Sequence, residues 1–146
     1  MKHIKNLKEF LNEQISYKLD NDYINYYLNG DKKIGYVEYY YDGGTFSEHL
    51  SKYEKEFYIA MIEVYKEFRG NDYATQIINN IKQFAKQKGA TIITLRVDEG
   101  LGSISKRKSY KGLEKLYLKN GFKYLFTEDE IINDDTKDLG AMYYNL

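Results

Sequence analysis

The sequence predicts an α/β protein, a mixed and mostly antiparallel sheet flanked by helices, and three stretches carry that expectation. Residues 57–64 (FYIAMIEV) form an apolar run that enters a turn at Arg69-Gly70-Asn71 and leaves it as an amphipathic helix. Residues 90–97 (ATIITLRV) follow as a β-branched strand, completing a strand–helix–strand crossover of the right-handed sense such units take. Residues 23–28 and 34–41 are two strand-like runs joined through Asn29-Gly30, a strong hairpin signal.

Taken in order, residues 1–14 (MKHIKNLKEFLNEQ) read as a short amphipathic helix with Ile4, Leu7 and Leu11 on one side. It docks on the domain, lies on a membrane surface, or is a detachable leader; Glu9 and Glu13 dilute its positive face. Residues 15–146 are expected to be a single domain. Residues 15–19 alternate as a strand, and residues 45–56 are polar, a loop or a short helix. In the central helix Ala74, Ile77, Ile78, Ile81, Phe84 and Ala85 recur at helical spacing and share one face. Gly89 stands where a left-handed cap ends that helix, with Lys86 and Lys88 near its negative end. Residues 98–108 are irregular and end in the cations Lys106, Arg107 and Lys108. Residues 109–120 are a second helix with Leu113, Leu116 and Tyr117 on its buried side, stopped by Gly121. A strand at 122–126, an acidic loop at 127–139 and a closing strand at 141–146 follow.

Composition removes several classes of function. A chain of 146 residues buries a sizeable core within one domain. Lys and Arg, 22 in all, balance 22 Asp and Glu, so no global field favours nucleic acid or an anionic membrane. There is no Cys, which excludes thiolate nucleophiles, disulfides and cysteine metal sites; His3 and His49 stand far apart, and no metal is expected. No apolar run is long enough to span a membrane and no signal-peptide core is visible, so a soluble, cytoplasmic protein is expected. The 17 tyrosines suit strand packing. A stacking platform for single-stranded nucleic acid would need interleaved basic residues, and residues 36–41 (YVEYYY) have none.

Residues 63–89 resemble the acetyl-CoA-binding core of the GNAT family of N-acetyltransferases. The family pattern is Arg or Gln, two residues, Gly, one residue, then Gly or Ala, after a strand ending in Val. Here Val64, Arg69 and Ala74 match, and Asp72 holds the place of the middle Gly. The run Leu116-Tyr117-Leu118-Lys119-Asn120-Gly121-Phe122 is similar to the family's late motif, in which a Leu-Tyr pair precedes Gly-Phe.

The resemblance implies a GNAT-like sheet with a shortened N-terminal half, because there is no room for the two helices the family places between its first two strands. It implies acetyl-CoA as cosubstrate, its pyrophosphate cradled by main-chain N–H groups of Arg69, Gly70, Asn71, Asp72, Tyr73, Ala74 and Thr75 at a helix start. Main-chain groups of Met61, Ile62 and Val64 would pair with the pantetheine arm as an added strand does. Tyr117 matches the tyrosine that protonates the departing thiolate, and reads otherwise as a core aromatic. Glu63 is the candidate base, or an exposed strand glutamate. Arg69 pairs with phosphate or braces the turn. Asp72 either points outward, leaving its amide to the ligand, or marks a scaffold that has lost its cofactor. Tyr110 stands where many members carry a helper Asn.

These features point to an acetyl-CoA-dependent N-acetyltransferase acting on a primary amine by direct attack, with no acyl-enzyme. The acidic loop, Glu128 to Asp138, would draw a cationic acceptor such as a lysine side chain, an N-terminus or a polyamine, or is a plain surface loop. The alternative is a non-catalytic binding module of the same fold. The leader-like start, faintly similar to phage head-targeting leaders, adds a head-associated protein. The acceptor and the oligomeric state stay open.

Overall fold

The computed structural model describes residues 15–42, 44–97, 107–134, 137 and 140–146. The helix or leader expected at residues 1–14 lies outside the described residues, as do Lys106, Asp135 and Asp138. The elements are β1 (Ile15–Asp20), β2 (Tyr23–Leu28), β3 (Lys32–Tyr41), β4 (Glu56–Val64), α1 (Tyr73–Lys88), β5 (Ile92–Arg96), α2 (Arg107–Lys119), β6 (Lys123–Tyr124), α3 (Glu128–Asn133) and β7 (Ala141–Asn145). The strands form one seven-stranded sheet in the order β1-β2-β3-β4-β5-β7-β6. Only β4 and β5 are parallel neighbours; the other pairs are antiparallel. This is the mostly antiparallel α/β architecture of the GNAT-like class.

β1 and β2 pair from Ile15↔Leu28 to Asp20↔Tyr23, leaving only Asn21 and Asp22 between them. Asn21 takes φ 54°, the left-handed region that Asn tolerates in a tight turn. No helix fits in so short a link, so the shortened half is a direct result of the hairpin.

The face of the sheet under α1 holds the larger core. Ile77, Ile78 and Ile81 of the helix are at most 1% exposed, and each contributes about 1.5–3 kcal/mol by leaving water. The Phe84 ring lies 5.5 to 6.0 Å from those of Tyr17, Tyr39 and Phe57. The Tyr26 hydroxyl, buried in the same layer, donates to Asn80 Oδ1 at 2.8 Å. Gly89 caps the helix at φ 98°, as its position implied. Tyr73 also enters this core, where the spacing argument had begun at Ala74.

A smaller cluster of Phe46, Tyr58, Phe126 and Ala141 packs on the opposite face. It is fastened by Glu56, which is 3% exposed. That carboxylate accepts the Phe46 N–H at 3.1 and 3.2 Å and the Thr94 hydroxyl. Glu56 therefore belongs to β4 rather than to the polar loop before it.

Two expectations from the sequence are corrected. The strand placed at 122–126 is only Lys123–Tyr124, because Phe122 is drawn into the larger core and Phe126 into the smaller one. The acidic loop contains α3, started by a capping box in which Thr127 and Glu130 satisfy each other's first-turn groups. The Thr-x-x-Glu signal and the acidic first turn were visible in the sequence, hidden beneath a reading based on charge alone.

Candidate active site

β4 and β5 pair only from Glu56↔Ile92 to Ile59↔Leu95. Beyond Ile59 the register of β4 against β3 shifts, Glu38↔Met61 being followed by Tyr39↔Ile59, which leaves Ala60 as the extra residue of a bulge. The bulge inverts the facing of the strand. After it Ile62 and Val64 turn to the α1 side, and Met61 and Glu63 to the opposite face.

The same half of β4 has an open main-chain edge. Tyr65 N–H donates to Ile34 O at 2.8 Å, toward β3. Main-chain groups alternate in direction along a strand, so those of Glu63 turn to β3 as well, and those of Ile62 and Val64 turn toward β5. Arg69 Nε donates to Val64 O at 2.8 Å, on that open side. Ile62 N–H and C=O and Val64 N–H thus line the gap. Arg69 performs the bracing role that was one of its two readings.

A cavity of about 530 Å³ runs along this edge, lined by Ile62, Glu63, Val64, Arg69, Ala74, Leu113 and Leu116. One end is the start of α1. Gly70 there takes φ +84° and a Cβ would meet nothing within 4 Å, so the approach is unobstructed. Asn71 Nδ2 donates back to Phe68 O at 3.3 Å and fixes the turn. Asp72 is the N-cap residue by position, but its exposed side chain makes no capping hydrogen bond. The first turn of α1 therefore has no side-chain cap. The Tyr73 side chain is buried against Phe68, at 6.3 Å between centroids, so Tyr73 offers the site main chain alone. Thr75 is half-buried in the first turn.

At the other end a cavity of about 50 Å³ sits between the diverging strands, lined by residues that include Ala60, Met61, Ile62, Leu95, Val97, Leu113 and Tyr117. Tyr117 is 3% exposed and its ring packs on Phe122 at 5.6 Å. Burial pushes its hydroxyl well above the ordinary phenol pKa. Glu63 lies across the sheet from this cavity's α2 wall, its Oε2 accepting the Tyr36 hydroxyl at 3.3 Å.

Sequence reasoning placed Leu113 in the core, yet it is 41% exposed and lines both cavities. Helical periodicity identifies an apolar face without saying whether protein or ligand covers it. The Ala60 bulge was missed too, since FYIAMIEV carries no glycine or other local mark of it. The side chain of Tyr110 lies outside the described residues. Among the described residues no group of three His, Asp or Glu side chains is placed to hold a metal, and no helix is long and apolar enough to cross a membrane.

The groove therefore has an open strand edge, a helix start at one end and a buried phenol at the other. The chain belongs to the GNAT acetyltransferases: the model of the Acetyltransferase (GNAT) family matches residues 4–122. Comparison with curated proteins gave no match. Solved structures of similar fold include Arabidopsis thaliana Naa50 in complex with the bisubstrate analogue CoA-Ac-MVNAL, at 16% identity and TM-score 0.57, covering 99% of this chain and 93% of that one. A GNAT-family acetyltransferase from Listeria monocytogenes matches at 15% identity and TM-score 0.57, over 86% of this chain and 64% of its own length. The PaiA N-acetyltransferase of Thermoplasma acidophilum in complex with coenzyme A matches at 14% identity and TM-score 0.55, over 85% and 60% of the two chains. The groove fits the family's cosubstrate, acetyl-CoA: polar main chain runs along one wall, a helix start without a side-chain cap stands at one end, and a small chamber lies at the other.

Proposed function

We propose that the protein transfers an acetyl group from acetyl-CoA to a primary amine by direct attack. The observation that carries this reading is the continuity of the site, from the uncapped start of α1 along the Ile62 main chain to the chamber beside Tyr117. First-turn N–H groups from Arg69 to Thr75 would hold the pyrophosphate, aided by the helix dipole. Ile62 N–H and C=O with Val64 N–H would hold the pantetheine amides as a strand neighbour does; Met61 adds only its place in the strand. When bound, acetyl-CoA supplies an activated thioester.

Tyr117 is assigned as the general acid. Its raised pKa keeps it protonated throughout the physiological range. Transfer from a phenol to a thiolate of ordinary pKa, about 8.5, is uphill, so the Tyr117 hydroxyl acts first as a hydrogen-bond donor to the sulfur as charge develops. Glu63, oriented by the Tyr36 hydroxyl, is assigned as a base acting through water on the incoming amine. An alkyl amine has an ordinary pKa near 10.4, so turnover should climb with pH through the neutral range.

The test is calorimetric titration with acetyl-CoA and with CoA, followed by turnover on a panel of primary amines. Micromolar affinity, about −8 kcal/mol, with turnover supports the reading. Binding without turnover on any amine would favour the non-catalytic module instead, and no binding at millimolar cofactor would overturn the assignment. An increase in affinity in Asp72→Gly would mark Asp72 as a tuned restraint on the cradle.

A further inference from the structure

The sheet order leaves two edge strands, β6 of two residues and β1 of six. Hydrogen bonds fix which main-chain groups β1 turns outward. Asp22 O accepts the Tyr39 N–H at 2.9 Å, so Asp22 turns to β3, and the alternate residues Tyr23, Asn25 and Tyr27 turn to β1. Their register partners Asp20, Lys18 and Ser16 turn inward to meet them. The N–H and C=O groups of Ile15, Tyr17 and Leu19 therefore point away from the sheet, and no described strand pairs with them.

The same three residues turn their side chains to the α1 face, since they stand opposite the core residues Leu28, Tyr26 and Ile24. Tyr17 and Leu19 nevertheless remain 39% and 53% exposed. The other face of β1 carries Lys18 and Asp20, two positions apart and of opposite charge. Of the devices that blunt a sheet edge, proline is absent from the chain and the β1–β2 register runs without a bulge. An apolar row, a row of open hydrogen-bonding groups and a pair of opposite charges share one short edge.

We propose that β1 is the docking surface for a second copy of this chain, the two β1 strands pairing antiparallel about a two-fold axis at Leu19. An axis normal to the sheet keeps opposed residues on one face, and three registers hold five or more described residues of each copy in the ladder. Tyr17 opposite Leu19 sets Lys18 against Lys18, a like-charge pair. Tyr17 opposite itself sets Lys18 against Ser16 and matches neither charge. Leu19 opposite itself sets Lys18 against Asp20 of the second copy, and symmetry repeats that pair on the other side of the axis. Charge complementarity selects the last. In it the Leu19 side chains meet at the centre of the α1 face, and the Leu19 main chains exchange two hydrogen bonds. Residues 17–21 of each copy make a ladder smaller than a standard interface, so association is expected at about 10–100 µM. The contact uses neither the groove nor the β4–β5 gap, so it stands independently of the acetyltransferase reading.

The chain has no cysteine, so a single introduced one reports the register directly. A hydrogen-bonded antiparallel pair sets its Cα atoms about 5.5 Å apart, within disulfide reach. Under mild oxidation of the full chain, Leu19→Cys should give a covalent dimer. Tyr17→Cys should not, because its two copies stand about 13 Å apart along the strands. Sedimentation of the unaltered protein between about 1 and 200 µM should pass from monomer to dimer. Lys18→Glu and Asp20→Lys should each weaken association about fivefold or more, and the two together should restore it to within about twofold. Thermal unfolding of each variant separates a lost contact from a lost fold, and raised salt should weaken the unaltered dimer without any variant. A monomer at every concentration overturns the proposal. So does a cross-link formed by Tyr17→Cys and not by Leu19→Cys, or a double charge exchange that fails to restore association. Association that appears only after removal of residues 1–14 would assign the edge to the chain's own start and overturn it too.

Discussion

The two halves of β4 differ in pairing and in burial. From Glu56 to Ile59 the strand is paired on both edges, at most 4% exposed, and tied down by the Glu56 carboxylate. From Ala60 to Val64 it keeps β3 and loses β5, and its side chains are half-buried or exposed. One inserted residue separates the halves. The first half places the second, and under the proposed function the second offers main chain to acetyl-CoA, so that stability and binding would be divided along a single strand.

That division can be broken most severely from across the gap. Tyr117→Phe should lower kcat by about 100-fold or more, roughly 2.7 kcal/mol, while acetyl-CoA affinity moves within about twofold. Equal losses in turnover and affinity would make Tyr117 a packing residue. Next in size is Gly35→Ala. A Cβ at Gly35 would stand 2.1 Å from Glu63 O, so β3 and the open half of β4 must move apart. We expect about 1–3 kcal/mol of destabilisation by denaturant titration, accompanied by loss of acetyl-CoA binding.

Glu56→Ala sharpens the comparison from the sealed half. It leaves the Phe46 N–H and the Thr94 hydroxyl without their acceptor, at a cost of about 1–3 kcal/mol. Acetyl-CoA affinity should hold, and an equal fall in affinity would show the halves to be coupled. The smallest effect lies at α3, far from both. Hydrogen bonds from Thr127 hold the Glu130 pKa below its usual value. A depressed carboxylate pKa contributes stability above the unfolded value, near 4.3, and loses it as pH falls through the folded one. NMR titration should find Glu130 titrating below the usual glutamate value, and Thr127→Ala, which removes the side-chain bond and keeps the backbone one, should raise it part of the way.

The elements with strong local grammar were legible in the sequence. The α1 stripe, the Gly89 cap and the Asn29-Gly30 hairpin each obey a rule acting over a few residues. Val64, Arg69 and Ala74, which line the larger cavity, and Tyr117, which lines the smaller, were legible as candidates. What escaped was set by tertiary geometry. The Ala60 bulge follows from how β3 and β4 register, and Leu113 looks like any core leucine until the cavity is seen. Asp72 was ambiguous because a carboxylate before a helix normally caps it; only the backbone, at φ −84° and ψ 19°, removes the side chain from that role. The acidic residues after Thr127 were read as charge when their spacing encoded a helix start.

The position of β7 has a consequence for how the protein assembles. β1 to β4 are consecutive antiparallel partners joined by residues 21–22, 29–31 and 42–55, so their contacts close loops of two to fourteen residues and can form early. β7 comes last in the chain and sits between β5 and β6, supplying the second edge of one and the single described partner of the other. Until Ala141–Asn145 arrive, β5 has only the four-residue parallel ladder with β4 to hold it. The β1–β4 meander is therefore the part of the sheet able to form first, and the gap between β4 and β5 is set only when the final strand slots in.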